Sequence, residues 1–133
     1  MPETNDPHVA LRSKKLSERA AGSRDLGQTG VPDDIPLLVD LARQDRSPGV
    51  RLNAAMAAAD ILSRYRFGSR RKKLKKKQRN ELLQLFNGID PGINPGLFSM
   101  LACLGVPEAI NRLTVGLRDP RMDIRRGAVV GMR

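Results

Sequence analysis

An internal repeat constrains the fold of this chain more than any other feature of its sequence. The segment GVPDDI at 30–35 returns as GVPEAI at 105–110, so that Gly, Val, Pro, an acid and Ile recur at an offset of 75 residues. Half of this offset, about 37 residues, is the length of one helix–turn–helix unit. The spacing therefore predicts that one further unit lies between the two copies.

Two turn segments repeat the same spacing of an aspartate and an arginine. Asp45 precedes Arg51 by six residues in DRSPGVR, and Asp119 precedes Arg125 by six residues in DPRMDIR. Each arginine follows a β-branched residue and precedes an alanine by three positions. The offset between the two turns is 74 residues, close to that of the first pair. The repeat thus extends beyond the proline segment into the turn that follows it.

A middle copy is visible in the Pro-Gly turns. The segment SPGVRLNAAMA at 47–57 is echoed by NPGLFSMLACL at 94–104. Because one such unit cannot bury its apolar face alone, about three are needed for a stable stack. We predict three units, about 31–66, 70–105 and 106–133.

The residues inside the units favour helices. Pro32 and Pro36, together with the acids Asp33 and Asp34, suit a first helical turn, where proline loses no hydrogen bond and acids complement the dipole. Gly105 follows an apolar run and suits the left-handed end of a helix. Aromatic residues make up 3% of the chain, so the core has to be built from aliphatic side chains, which suits layers of small helices. The sequence predicts an all-α fold.

Residues 1–30 differ from the rest in composition. Gly, Ser and mixed charges dominate the segment AAGSRDLGQTG, which is typical of a chain without a packed core. We expect a mobile N-terminal tail over 1–30, with a short helix near 9–20, followed by a repeat domain over 31–133.

The repeated positions resemble those of the HEAT-repeat family, to which armadillo repeats are closely related. The resemblance covers about 100 of the 133 residues. It implies a short right-handed α-solenoid in which the turn aspartates and the second-helix arginines form a ladder between units. Phe98 occupies the arginine position of the middle unit, so the resemblance implies an interrupted ladder there. The residues that carry the match are Pro32, Asp45, Val50, Arg51 and Ala54, and again Pro107, Asp119, Ile124, Arg125 and Ala128.

The last unit ends in the apolar sequence GAVVGMR. Terminal units of solenoids normally carry a polar outer face. Either the chain continues as a longer solenoid, or this end is covered by self-association or by another protein.

The residue inventory argues against catalysis. The single histidine, His8, lies in the predicted tail, and the single cysteine, Cys103, lies in an apolar run, so no Cys/His dyad or Ser-His-Asp set is expected. Zinc-ligand spacings and phosphate-binding glycine motifs are absent from the sequence. The adjacent acids Asp33 and Asp34 are better explained by a helix start than by a metal pair. We expect no enzyme, no cofactor, no metal and no small-molecule substrate.

One block of the sequence carries the whole excess charge. The net charge is +10, and the segment 63–79 holds ten basic residues and no acid. Three explanations remain open: a solvated edge, a nuclear-import address, or a surface that binds phosphates of nucleic acid or an anionic membrane by charge alone. We take Arg125 and Arg126 as weaker candidate contacts. The ten candidate partner- or phosphate-contact residues are Arg64, Arg66, Arg70, Arg71, Lys72, Lys73, Lys75, Lys76, Lys77 and Arg79.

Two functions are consistent with these features. The first is a non-enzymatic scaffold or adaptor that binds another protein; the alternative is a nucleic-acid-associated module that contacts phosphates through the segment 64–79. No apolar run reaches the ~18 residues of a membrane span. No secretory signal is evident at the N-terminus either, so we expect an intracellular, cytoplasmic protein, or a nuclear one in a eukaryotic host.

Overall fold

The computed structural model describes residues 6–67 and 74–131, except for the side chains of residues 66 and 67. All regular structure in these ranges is helical and no strand occurs in them, which confirms the prediction of an all-α fold. The helices are α1 (Pro7–Ala10), α2 (Leu16–Thr29), α3 (Ile35–Gln44), α4 (Pro48–Phe67), α5 (Lys76–Asn87), α6 (Leu97–Leu104), α7 (Pro107–Gly116) and α8 (Met122–Gly131), with a 3-10 turn (Pro32–Asp34) before α3.

Three successive helix pairs follow the 3-10 turn. In chain order these pairs are α3 with α4, α5 with α6, and α7 with α8. Their division into repeat units stays a prediction. Pro32 begins the 3-10 turn that leads into α3, and Pro107 begins α7, so both repeated prolines stand at helix starts. Gly105 ends α6 in the left-handed region, with φ 68°, and donates its N–H to the carbonyl of Leu101.

The even-numbered helices lie next to one another in chain order. Helix α2 packs on α4, α4 packs on α6, and α6 packs on α8. The odd-numbered helices α3, α5 and α7 pack against the flanks of this row. The core between them is aliphatic apart from two phenylalanines, Phe86 and Phe98.

The prediction of a mobile tail is wrong for the part of residues 1–30 that forms α2. Leu26 is 1% exposed, and a Cβ on Gly27 would lie only 3.1 Å from Cα of Ala57 on α4. Gly22 and Ser23 are also buried. The small residues that resemble a linker in sequence are therefore the contact face of a closely packed helix. Residues 1–5 lie outside the described ranges.

The two repeated turns make the same hydrogen bonds. The guanidinium of Arg51 donates to the backbone carbonyl of Asp45, and that of Arg125 to the carbonyl of Asp119, each at 2.8 Å. In both turns the aspartate carboxylate accepts the amide two residues further on, at 2.9 and 2.8 Å. Arg125 also donates to the carbonyl of Pro120. The repeated sequence therefore produces repeated local geometry.

The carboxylate of Asp45 pairs with an arginine outside its own helix pair. Arg19 of α2 contacts both carboxylate oxygens, at 2.7 and 3.1 Å. Burial of Asp45 favours its neutral form, but the hydrogen bonds from Arg19 and from the amide of Ser47 outweigh burial and lower its pKa. This buried ion pair ties α2 to the turn between α3 and α4.

Asn94 takes the place of the charged pair in the middle turn. Its side-chain amide donates to the carbonyls of Ala42 and Arg51, both at 2.9 Å, and its oxygen accepts the amide of Gly96 at 3.0 Å. Asn94 is 1% exposed. A neutral, fully bonded side chain thus joins the first helix pair to the start of α6 where Phe98 replaces the arginine.

Candidate functional site: an apolar groove on α4, α6 and α8

The exposed side of the even-numbered helices carries an apolar groove of about 480 Å³. One wall consists of Leu52 and Met56 on α4, and the other contains Met122 and Val130 on α8. These four side chains are 45%, 43%, 57% and 59% exposed. The floor is formed by Pro95, Gly96 and Ser99 at the start of α6, and Asp123, Arg126 and Gly127 of α8 complete the lining.

Local sequence explains the shape of this groove. Leu52 and Met56 are one helical turn apart and project from the same face of α4, which is otherwise rich in alanine. Met122, Arg126 and Val130 repeat this spacing along α8. Large side chains at the two edges and small ones in between leave a channel.

The floor lies deep between the two walls because the start of α6 packs very close to α4. A Cβ on Gly96 would lie 2.7 Å from Cβ of Ala55. Any larger residue at position 96 would therefore push α6 away from α4. A Cβ on Gly127 of α8 would likewise lie only 2.9 Å from Cβ of Pro95. Glycine at these two positions sets the depth of the groove.

The groove carries two opposite charges, Arg126 and Asp123. Neither side chain forms an ion pair or a hydrogen bond with another residue that the structure describes. Asp123 lies in the first turn of α8, where the helix dipole favours an acid. The starts of α6 and α8 border the groove, whereas its α4 residues, Leu52 and Met56, lie beyond the first turn of that helix.

The basic block, which is the ten basic residues between Arg64 and Arg79, divides into residues with different surroundings. Arg64 donates to the carbonyls of Gly27 and Gly30 at the end of α2, and Arg79 donates to the carbonyl of Leu74. These two arginines are therefore used inside the fold. Lys75, Lys76 and Lys77 are exposed at the start of α5, while Arg70, Arg71, Lys72 and Lys73, and the side chain of Arg66, lie outside the described residues.

The single histidine and the single cysteine lie in different parts of the fold. The imidazole of His8 lies 2.7 Å from the carboxylate of Asp34, which is distant in sequence, and 3.2 Å from that of Asp6, two residues before it. The Cys103 thiol is half-buried, 3.3 Å from the hydroxyl of Ser63. In the same part of the chain, no three His, Cys, Asp or Glu side chains come together as a metal site.

Sequence comparison adds no assignment to this geometry. Neither the protein-family models nor the curated proteins contain a match to this chain. Over residues 6–67 and 74–131, no helix combines the length and the apolar character needed to cross a bilayer.

Sequence reasoning placed the candidate contacts in the basic block and missed the groove. None of the ten basic candidates lines the groove, but the weaker candidate Arg126 does, as do Gly127 and Val130 of the apolar C-terminal segment GAVVGMR. The sequence did hold a signal in Leu52, Met56 and Met122. Long apolar side chains at helical spacing indicate a helix face that packs against another surface. That face became identifiable only when the packing of α6 between α4 and α8 was known.

Proposed function

We propose that this protein is a short right-handed α-solenoid of about three HEAT-like units that acts as a non-enzymatic scaffold and binds another protein in the groove. Three helix pairs in chain order and the shared bonding of the two repeated turns support the solenoid. Side-by-side packing of α2, α4, α6 and α8 also supports it.

The exposure of the groove's four large apolar side chains carries the functional part of the proposal. Single apolar residues on a surface are ordinary, but a contiguous apolar patch with a polar rim marks an interaction site. The lining of the groove is mostly apolar, with Ser99, Asp123 and Arg126 as its polar members. Burial of its walls by a protein surface would release about 25 cal/mol for each Å² of apolar area.

Substitution of a groove wall tests the proposal directly. Protein partners are first captured by a photo-reactive amino acid at position 56 and compared with those captured at position 37. Leu37 is 38% exposed on α3 and lines no part of the groove, so it is a matched control. The purified partner is then titrated with the parent protein, Met56→Glu and Leu37→Glu.

We expect Met56→Glu to weaken binding at least tenfold, because a carboxylate in an apolar contact costs more than about 1.4 kcal/mol. Leu37→Glu should bind as the parent does. Equal binding by all three proteins, with both variants folded, would refute the groove as the binding site.

A second candidate function rests on Lys75, Lys76 and Lys77. These three consecutive lysines are exposed and form no ion pair with the acids that the structure describes. They stand at the positive end of α5, where they oppose the helix dipole and repel one another. Their ammonium groups form no hydrogen bond or ion pair with another described residue, which supports a role in binding phosphates of nucleic acid.

A salt series measures this second candidate. Binding to a nonspecific duplex should weaken with salt, and replacing Lys75, Lys76 and Lys77 by Gln should reduce the slope of log K against log salt by about 3. Lys14→Gln with Lys15→Gln is the control, since both lysines are exposed at the other end of the chain. The candidate fails if no binding is measurable at ~50 mM salt.

A further inference from the structure

We propose that residues 6–13, which include α1, form a latch that is closed while His8 is an imidazolium and is released when the ring becomes neutral. Release uncovers Leu11 and the face of α2 around Gly22. This inference is independent of the groove, which lies on α4, α6 and α8. It follows from the two carboxylates that face the imidazole and from the small number of other contacts that hold the segment.

The imidazole of His8 lies between two carboxylates. Its Nε2 is 2.7 Å from an oxygen of Asp34, and its Nδ1 is 3.2 Å from an oxygen of Asp6. An ionised carboxylate can only accept a hydrogen bond, and a neutral imidazole has a single N–H to donate. Only the imidazolium therefore makes both bonds. A neutral ring turns a lone pair toward one of the two acids.

Asp34 is the fixed anchor of this contact. Its side chain is 13% exposed, and its second oxygen accepts the backbone amide of Val31 at 2.9 Å. Asp6 belongs to the latch itself and accepts the backbone amide of His8 at 2.9 Å. The bond to Asp34 therefore joins the latch to the 3-10 turn, and the bond to Asp6 orients the ring. A neutral ring keeps at most one of these bonds, and that bond loses the charge that makes it strong.

Asp34 and Asp6 are the two charged groups in contact with the imidazole among the described residues. Together they raise the pKa of His8, Asp34 more than Asp6. The latch packs on α2, whose Glu18 and Arg19 have hydrogen-bond partners of their own. The other charged residues of the latch, of α2 and of the 3-10 turn form no ion pair with His8, and these are Arg12, Arg24, Asp25 and Asp33.

Few other contacts hold the latch. Leu11, which is 7% exposed, is the one buried side chain of residues 6–13, and the four residues of α1 include no buried member. A Cβ on Gly22 would lie 2.8 Å from Cβ of Ala10, so the closed latch lies directly on α2. A short segment with so little buried surface opens at a much smaller free energy than the whole fold. Loss of the charged bridge therefore releases the latch while the remaining helices stay folded.

Methyl NMR of the full chain between about pH 5 and 8 tests the latch. The Leu11 methyls report on release, and the methyls of Leu62, which is 0% exposed on α4, report on unfolding of the whole chain. The ring signals of His8 give its titration in the same samples. His8→Ala removes the bridge. Asp33→Asn is the matched control, because it changes a neighbouring acid that does not bond to His8.

We expect the Leu11 signals of the parent protein and of Asp33→Asn to move with the same midpoint as His8, while Leu62 stays unchanged. The ratio of released to closed latch should rise about tenfold for each unit by which the pKa of the bridged His8 exceeds 6.5. His8→Ala should hold the Leu11 signals at their high-pH position throughout, because it has no ring to bridge the two acids.

Three results would overturn the latch. The first is a set of Leu11 signals that stay in place while His8 titrates, which would mean that the neutral ring still holds the segment. The second is a His8→Ala protein with the low-pH Leu11 signals of the parent or with an unchanged pH response, which would mean that His8 is not the group that closes it. The third is movement of Leu62 together with Leu11, which would mean that the whole chain unfolds in place of a local release.

Discussion

Phe98 fills a hole that three glycines leave beside α6. Hypothetical Cβ atoms on Gly116 and Gly127 would lie 2.6 and 3.2 Å from the Phe98 ring, and one on Gly131 would lie 2.6 Å from the backbone carbon of Phe98. The ring is 1% exposed. In sequence Phe98 interrupts the pattern of arginines, but in the structure it anchors α7 and α8 to α6.

A methyl group placed at Gly131 tests this anchor. Gly131→Ala should lower the free energy of unfolding by about 1–3 kcal/mol, because the backbone it meets cannot move aside as a side chain could. Gly49→Ala is the control, since the nearest atom to its Cβ is the Ser47 hydroxyl at 3.6 Å and alanine favours a helix. Urea denaturation of both variants measures the difference. A Gly131→Ala protein as stable as Gly49→Ala would contradict the packing described here.

His8 fixes the beginning of the described chain by a pH-dependent contact. Hydrogen bonds to Asp34 and, secondly, to Asp6 raise the pKa of the imidazole above its ordinary value near 6.5. A pKa raised by folding means that the contact stabilises the fold fully below about pH 6.5. This stabilisation disappears as the pH rises through the folded-state pKa.

NMR titration of the single histidine measures this effect. We expect its folded-state pKa to exceed 6.5 and to fall toward that value in Asp34→Asn, because the neutral amide no longer favours the imidazolium. Asp33→Asn should leave the titration unchanged, since His8 bonds to Asp34 and not to Asp33. A histidine that titrates at 6.5 or below in the parent protein would show that the contact is not formed in solution.

At the scale of elements, the C-terminal carbonyls of two helices are satisfied by arginines from a later helix. Arg64 of α4 reaches the end of α2, and Arg112 of α7 donates to the carbonyls of Phe86 and Ile89 at the end of α5. Such bonds satisfy acceptors that a helix cannot pair internally. They join elements that are distant in the chain.

Removal of the Arg64 guanidinium should therefore loosen α2. We expect Arg64→Ala to lower the free energy of unfolding by about 1–2 kcal/mol, because two carbonyls lose a charged donor. Arg24→Ala changes an exposed arginine on α2 and should cost less than about 0.5 kcal/mol. Amide exchange in α2 would accelerate in the first variant alone. Equal exchange in both variants would mean that α2 is held without Arg64.

Asn94 links two helix pairs, and its substitution tests that link. Asn94→Ala should cost about 2–3 kcal/mol, because the buried carbonyls of Ala42 and Arg51 lose their donor. Asn94→Asp should be at least as unstable at pH 7, where a carboxylate faces those oxygens, and should recover as acid protonates it. The exposed Asn111→Ala is the control for thermal melts at pH 5 and pH 7. The link is refuted if Asn94→Ala melts together with Asn111→Ala.

Most of the helix pairs could be predicted from sequence because their signals are local. Pro32 and Pro107 mark helix starts by the chemistry of the first turn, and Asp45 and Asp119 mark turns by their side-chain bonds to nearby amides. The docking of α2 could not be predicted in this way. Gly22, Ser23 and Gly27 have the composition of a linker, and only their close contact with alanines of α4 makes them a packing face.

At the scale of the whole molecule, the candidate site depends on packing that no single segment encodes. Leu52, Met56 and Met122 would be core residues if a further helix covered α4, α6 and α8. They form a groove because the small residues Gly96 and Ser99 make its floor between the larger side chains of α4 and α8. No described helix covers that floor. The basic block was visible in sequence as charge alone, and its division into bonded arginines and exposed lysines required coordinates.

The central claim is that α4, α6 and α8 stack in chain order and leave an open apolar groove. Paramagnetic relaxation of 13C-labelled methionine methyls by a water-soluble gadolinium chelate tests it in one spectrum. We expect strong broadening of the Met56 and Met122 signals and no broadening of Met100, in line with exposures of 43%, 57% and 0%. Protection of Met56 and Met122 to the same degree as Met100, in dilute protein, would contradict the open groove and the function proposed for it.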